Sequence, residues 1–204
     1  MPEQEMATEV LSRALEAAGD VVAGVGADQW ELPTPCEHWT VRHVVSHLVL
    51  GNRRHAALVR GDQLGPRPEG LPEDVLGDDP HAVFTASAQE VLSAFATPGV
   101  ASTIYDTPIG KVPGSGVLHL RATDGIVHGW DIAVATGQSL EAPDFVVGEL
   151  LTFARTRLAD APPNGPFKES RCIAEDAPVL EQLVAVLGRD PRWSSGVSRP
   201  ASRE

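Results

Sequence analysis

Residues 123–137 read TDGIVHGWDIAVATG, an apolar run that carries three polar residues at helical spacing. Asp124, His128 and Asp131 follow one another at i, i+4 and i+7, so on a helix they fall within an arc of about 60°. Their neighbours on that face are Leu, Val and Ala rather than Lys, Glu or Ser, which predicts that the face is buried. Burying two carboxylates and an imidazole is costly unless each is paired or binds a metal. The stretch therefore predicts either a hydrogen-bonded cluster or a metal site on a helix.

Apolar residues recur in three- and four-residue steps along most of the chain. They predict helices over residues 4–25, 40–60, 80–97, 115–136, 143–160 and 178–188. Thr40 is placed to cap the second helix, and Gly61 and Gly137 are placed to end the second and fourth. Ser102–Tyr105 is the only candidate strand, which allows a short hairpin near 100–114. Without βαβ alternation or an internal repeat, the pattern predicts an all-α fold, a four-helix bundle with one or two additional helices.

The chain of 204 residues is long enough for one substantial domain. We expect a single helical-bundle domain over residues 1–193 and a flexible tail over 194–204, because the tail lacks apolar residues. Residues 61–78 are rich in Gly and Pro, and we expect a surface loop there.

Composition and charge exclude several classes of partner. The net charge is −12 and the pI about 4.9, which argues against nucleic acid because phosphate backbones are bound by clustered Lys and Arg. No apolar run is long enough to span a membrane, and the N-terminal MPEQEMATEV does not resemble a signal peptide, so we expect a cytoplasmic protein. Cys36 and Cys172 form no CxxC pair and are expected to be reduced thiols.

A histidine in the second predicted helix changes the interpretation of the Asp124–His128 pair. His47 lies in HVVSHLV, at the margin of that helix's apolar stripe. One His from this helix with an Asp-x-x-x-His from the fourth gives two nitrogens and one carboxylate in a bundle core. Such a set leaves open positions on zinc or another divalent ion, as in catalytic metal sites. The alternatives are an interfacial histidine and a simple hydrogen-bonded couple.

The motifs that carry these residues resemble those of a known family. TPCEHWTVRHVVSHLVLGNRRHAALVRGD (34–62) is similar to the N-terminal signature of the DinB-like, mycothiol-dependent maleylpyruvate isomerase-like proteins. RATDGIVHGWDIAVATGQ (121–138) resembles their second signature, and EQLVAVLGRDPRW (181–193) resembles the closing segment of short actinobacterial members. The likeness spans roughly residues 5–193.

The resemblance implies that His47, Asp124 and His128 hold a divalent metal, most plausibly zinc. It also implies a low-molecular-weight thiol cofactor such as mycothiol, because several family members use the metal to activate such a thiol. Two positions depart from the family pattern: Asp124 stands where the isomerase has Glu, and His43 stands where relatives often have an acidic residue.

Other polar residues receive supporting roles. Asp131 either orients a ligand histidine or forms a salt bridge with Arg121 or Arg42. Arg42 and Asn52 are candidates for binding the cofactor, together with the 61–78 loop. Cys36, next to the start of the second helix, is assigned to packing, with an activated thiol as the alternative.

These features favour a metal-dependent enzyme, a thiol S-transferase or a thiol-dependent isomerase. Its partners are then a small-molecule thiol and an electrophilic substrate, with no nucleic acid and no membrane, and a homodimer is compatible with the sequence. The alternatives are a non-catalytic metal- or thiol-binding sensor of stress and a metal-dependent hydrolase, although the sequence offers no clear general base for hydrolysis.

Overall fold

The computed structural model describes residues 3–65, 70–107, 110–158 and 170–194. Its helices are α1 (Glu3–Ala23), α2 (Val41–Arg60), α3 (Pro80–Phe95), α4 (Gly114–Thr136), α5 (Asp144–Phe153) and α6 (Val179–Val186). Between α3 and α4, β1 (Ile104–Thr107) and β2 (Gly110–Pro113) form an antiparallel hairpin in which Tyr105 pairs with Val112. The predicted all-α class with a short hairpin is confirmed.

The predicted boundaries are close to those observed, with two differences. The fifth helix ends earlier than expected, at Phe153, and the chain continues as a π-helical turn over Ala154–Leu158. The strand begins at Ile104, because Val100–Ser102 form a 3₁₀ turn. The described parts of the predicted 61–78 loop contain no helix or strand, while residues 66–69 and the tail from 195 lie outside the described residues.

Helices α1 to α4 form the bundle, with α1 and α2 each packed against both α3 and α4. Most of α4 is buried. Its Gly129 allows α1 to approach closely, because a Cβ there would lie 3.3 Å from the Cα of Ala18 and 3.0 Å from Leu140. Helix α5 packs against α4 and against α6. On the polar face of α4, His128 and Asp131 are buried, whereas Asp124 is partly exposed.

The termini of α2 and α4 form as the sequence predicts. Thr40 is the N-cap of α2, and its backbone N–H donates to Nδ1 of His43 at 3.1 Å. Gly61 and Gly137 end α2 and α4 in the left-handed conformation, with φ of 81° and 74°. His43 is thus engaged at the start of its helix, as the third residue of a capping box.

The sequence predicted neither a membrane-spanning helix nor a disulfide. Within the described ranges, no helix is both long and apolar enough to cross a membrane. Cys36 and Cys172 are free thiols, the first half-buried and the second exposed.

Candidate metal centre

Three side chains predicted to converge do meet where α2 packs against α4. Nε2 of His47 lies 3.3 Å from Oδ2 of Asp124, and Nε2 of His128 lies 3.3 Å from Oδ1 of the same carboxylate. One ligand atom from each of the three residues lies within 4.8 Å of the other two. The i, i+4 spacing on α4 sets two of the ligand atoms side by side, and the packing of α2 supplies the third. Metal binding by this triad stays a prediction.

The separations within the triad fit a divalent ion. At metal–ligand bonds of about 2.0–2.1 Å, two ligands of a tetrahedral ion are roughly 3.4 Å apart. The two 3.3 Å separations match this value and are longer than ordinary N–H···O hydrogen bonds. Two imidazoles and one carboxylate are also the donor set of catalytic zinc sites. The residues present therefore fit the metal that the sequence predicts.

One side of the triad is open to solvent. The side chains of His47 and Asp124 are 20% and 23% exposed, whereas His128 is 9% exposed. The ring of Trp39 borders the triad, with its centroid 5.0 Å from that of His47 and 6.1 Å from that of His128. The triad therefore lies at the boundary between the core and solvent.

Asp131 contacts the other nitrogen of His128. Its Oδ2 lies 2.9 Å from Nδ1 of that ring, and the carboxylate is fully buried. A carboxylate on Nδ1 holds the ring in the tautomer whose Nε2 is free for a metal. The salt-bridge partner suggested for Asp131 was wrong: it is neither Arg121 nor Arg42 but Arg189, whose Nη2 donates to Oδ2 at 2.9 Å and whose Nε lies 3.3 Å from Oδ1.

Arg189 is a site residue that the sequence predictions missed, and Cys36, which was assigned to packing with an activated thiol as the alternative, lies in the same cluster. The Cys36 thiol lies 3.2 Å from Oδ2 of Asp131 and 3.7 Å from Nδ1 of His128, and Nη2 of Arg189 donates to its sulfur at 3.2 Å. The sequence signals were the TPC run for Cys36 and the LGRDP run for Arg189. Neither signal told which side chains these residues would face.

Arg121 contacts the carboxylate of the triad. Its Nη1 donates to Oδ2 of Asp124 at 2.6 Å, three residues further along α4. Its side chain is fully buried, and its Nε and Nη2 have no hydrogen-bond partner among the described residues. The guanidinium of Arg121, buried next to the triad, thus donates one hydrogen bond to Asp124.

These contacts shift the pKa values of the triad in different directions. Burial raises the pKa of the Asp124 carboxyl, but the nearby Arg121, His47 and His128 outweigh it and hold that pKa well below 3.8. Burial lowers the pKa of the His47 imidazole. Burial also opposes protonation of His128, but Asp124, Cys36 and Asp131 outweigh it and raise the pKa of His128 well above 6.5. The surroundings of the metal-free triad therefore favour the cationic imidazolium form of His128 and the neutral imidazole form of His47.

The two residues predicted to hold a cofactor lie in different surroundings. Arg42 pairs with Asp74, at 3.0 Å, and stacks on Trp30. Asn52 is fully buried and donates to the hydroxyl of Ser87 on α3 at 3.0 Å. The contacts described for both residues lie outside the triad, and their role in cofactor binding stays a prediction. The polar cluster next to the triad is instead formed by Cys36, Asp131 and Arg189.

A comparison with known families decides the family of this chain. The sequence model of the mycothiol maleylpyruvate isomerase N-terminal domain matches residues 11–133, more than half of the chain. The chain belongs to the mycothiol maleylpyruvate isomerase N-terminal domain family. The matched segment contains the triad and Asp131 but ends well before Arg189.

Relatives and solved structures agree with this family. Two uncharacterised proteins from two strains of Mycobacterium tuberculosis are each 36% identical over 183 residues, covering 88% of this chain and 96% of theirs. Crystal structures of the mycothiol-dependent maleylpyruvate isomerase and of its histidine-to-alanine variant match with a TM-score of 0.62 at 17% and 16% identity. These matches cover 76% of this chain and 70% of theirs. The fold of this family member is therefore the DinB-like bundle of the isomerase.

Proposed function

We propose that this protein is a divalent-metal-dependent enzyme that activates a low-molecular-weight thiol, of the mycothiol type, for transfer to a small electrophile or for its isomerisation. The observation that carries the proposal is the convergence of His47, Asp124 and His128 on the open side of the bundle. The family, named for a mycothiol-dependent reaction, supports the thiol. Zinc is the proposed metal because its catalytic sites use this donor set and keep one position open.

Different residues of the chain have different proposed roles in holding the metal. His47, Asp124 and His128 are its proposed ligands, and Asp131 contacts Nδ1 of His128, which would leave Nε2 free to bind the ion. Arg189 holds Asp131 in turn. A bound divalent ion supplies a lowered thiol pKa, and thus thiolate at neutral pH. The exposed edges of His47 and Asp124 leave a path for the thiol to enter and for its proton to pass to solvent.

The chemistry then depends on the electrophile. With an activated aryl halide, the thiolate sulfur forms a C–S bond and the halide leaves with the electron pair of the C–X bond. With a cis-enoyl acid, the sulfur adds to the C=C bond, the resulting single bond rotates, and expulsion of the thiolate restores a trans double bond. The first reaction consumes the thiol, whereas the second regenerates it.

Hydrolysis is less well supported than thiol chemistry. A hydrolase needs a base that takes a proton from water, but Asp131 is fully buried and held by Arg189 and His128. Asp124 is engaged by Arg121. A non-catalytic sensor shares the same metal site, so only turnover separates it from the enzyme.

The test starts with elemental analysis of the purified protein beside the His47→Ala variant. We expect about one divalent ion per wild-type chain and a large loss in the variant, because one of three ligands is removed. The exposed His81, at the start of α3, gives a matched control, since His81→Ala should keep the metal. Equal metal content in wild type and His47→Ala contradicts the three-ligand site.

Turnover is then measured with chlorodinitrobenzene as a generic electrophile. The proposal predicts consumption of this compound that needs both the metal and added mycothiol. Metal-loaded protein that binds thiol without turnover points to a sensor, and turnover of ester substrates without any thiol points to a hydrolase.

Metal binding should release about one proton per ion at neutral pH. The ligand nitrogens must be unprotonated, and in the metal-free protein only His128 has a raised pKa, whereas that of His47 is lowered. The apparent affinity of the protein for the divalent metal should therefore rise about tenfold per pH unit from pH 6.5 up to the pKa of His128. Calorimetric titrations in buffers of different ionisation enthalpy measure the protons released. Affinity that is independent of pH in this window contradicts the assignment of His128 as a ligand.

A further inference from the structure

Arg121 is an unusual residue to find inside this bundle. Its side chain is fully buried on α4, yet its Nε and Nη2 lack a hydrogen-bond partner among the described residues. Burial disfavours its charge, and Asp124 is the group that favours it most. Buried donors without partners reduce stability, and buried ion pairs often contribute less than apolar residues of similar volume. Packing and stability alone therefore do not explain why an arginine occupies this position.

The contact with Asp124 is short and directed at one oxygen. Nη1 donates to Oδ2 at 2.6 Å, while Oδ1 faces Nε2 of His128 at 3.3 Å. A charge-assisted hydrogen bond of this kind fixes the rotation of a carboxylate more firmly than a neutral one. Rotation of this carboxylate would move its oxygens relative to both histidines, because one oxygen lies 3.3 Å from each ring.

Gly51 of helix α2 leaves space for this guanidinium. A Cβ on Gly51 would overlap Nη1 of Arg121 and lie 3.8 Å from Oδ2 of Asp124. Because Arg121 is fully buried, its side chain cannot swing into solvent to avoid such a Cβ. Gly51 comes four residues after His47, so the helix that supplies one proposed ligand also admits the arginine that holds another.

We propose that Arg121 is a positioning residue for the metal centre, which acts by holding Oδ2 of Asp124, and that Gly51 is the residue that admits it. This inference rests on the metal site of the proposed function. Arg121 does not touch the metal or the substrate. It fixes the carboxylate in the orientation that the two histidines require.

The experiment compares Arg121→Met, Arg121→Lys and Gly51→Ala with wild type. Zinc affinity is measured by competition with a chromophoric chelator, and the visible spectrum of the cobalt-substituted protein reports the coordination geometry. Changes next to a metal ligand typically reduce affinity about 10- to 100-fold, and we expect this range for Arg121→Met and Gly51→Ala. Arg121→Lys, which keeps the charge, should recover part of the loss. The cobalt bands should shift in Arg121→Met and in Gly51→Ala.

Gly148→Ala is the matched control for Gly51→Ala. Gly148 lies within α5, and a Cβ there would meet no atom within 4 Å, so zinc affinity should stay within about twofold of wild type. Urea unfolding of each metal-free variant separates positioning from folding, because a purely structural role predicts lost stability with an unchanged cobalt spectrum. If Arg121→Met does not fold, Gly51→Ala still tests the inference, since it keeps the arginine and alanine favours a helix.

The outcomes distinguish failure of the proposed metal site from failure of the proposed role of Arg121. Wild-type protein that binds no zinc or cobalt overturns the metal site of the proposed function, and the role of Arg121 with it. Wild-type protein that binds metal, with equal or tighter binding and unchanged cobalt bands in Arg121→Met and Gly51→Ala, overturns the positioning role alone.

Discussion

Replacing His128 by alanine should reduce metal affinity by more than about 100-fold and remove thiol-dependent turnover. His128 is the residue at which the two polar clusters meet: Nε2 faces Asp124 at 3.3 Å, and Nδ1 lies 2.9 Å from Asp131. The substitution removes a proposed ligand and also the group that Asp131 orients. Loss of a ligand should exceed the 10- to 100-fold effect of changes next to one. Competition titration with zinc and the mycothiol-dependent assay measure the two losses.

A second histidine of α4 provides the control for this variant. His119 is engaged by the carbonyl of Ser115 at 2.7 Å and by Glu149 at 3.2 Å, away from the triad. His119→Ala should keep metal affinity near that of wild type. One tightly bound ion per chain in His128→Ala contradicts the proposed site, whatever happens to turnover.

Replacing Asp131 by alanine should destabilise the metal-free protein by about 3–5 kcal/mol, because it leaves a nearly buried cation without its partner. Arg189 is 10% exposed and Asp131 is fully buried, with Nη2 and Oδ2 2.9 Å apart. Zinc affinity should also fall, since Nδ1 of His128 loses the carboxylate that holds it. Urea unfolding in the presence of a chelator measures the stability, and Asp20→Ala, at an exposed position on α1, is the control.

A double substitution tests whether the unpaired charge causes this loss. In Asp131→Ala/Arg189→Met, both charges are gone, and the free energy of unfolding should recover by at least about 1–2 kcal/mol relative to Asp131→Ala alone. Zinc affinity should stay low in the double variant, because His128 still lacks its carboxylate. Equal stability of the single and double variants contradicts the ion-pair explanation.

The sequence predicted the helices because each one buries an apolar stripe, and such stripes are visible in the spacing of residues. It also predicted that Asp124 and His128 lie side by side, because residues four apart on one helix face the same way. The prediction that His47 lies next to this pair rested on two further arguments. One was the rule that bundle helices face each other across a core, and the other was the resemblance to a family.

The partners of these residues were harder to predict. One of the two interpretations of Asp131 paired it with Arg121, on the same helix, or with Arg42, in the other family motif, but its partner is Arg189, 58 residues further along. Arg42 and Asn52 were chosen because they lie near His47 in sequence, and each instead faces a different part of the molecule. Proximity along the chain is a weak guide wherever a side chain crosses from one helix to another.

The sequence alone determined the polar face of α4, since helical periodicity is a local property of the backbone that fixes which side chains of one helix lie together. Only the tertiary structure decided which groups complete that face: His47 from α2, Cys36 from the preceding loop and Arg189 from the segment after α6. These contacts depend on how the helices pack, and packing is set by shape and burial over the whole core. The structure likewise decided that Gly51 makes room for Arg121, a relation between two helices that no local pattern of residues contains.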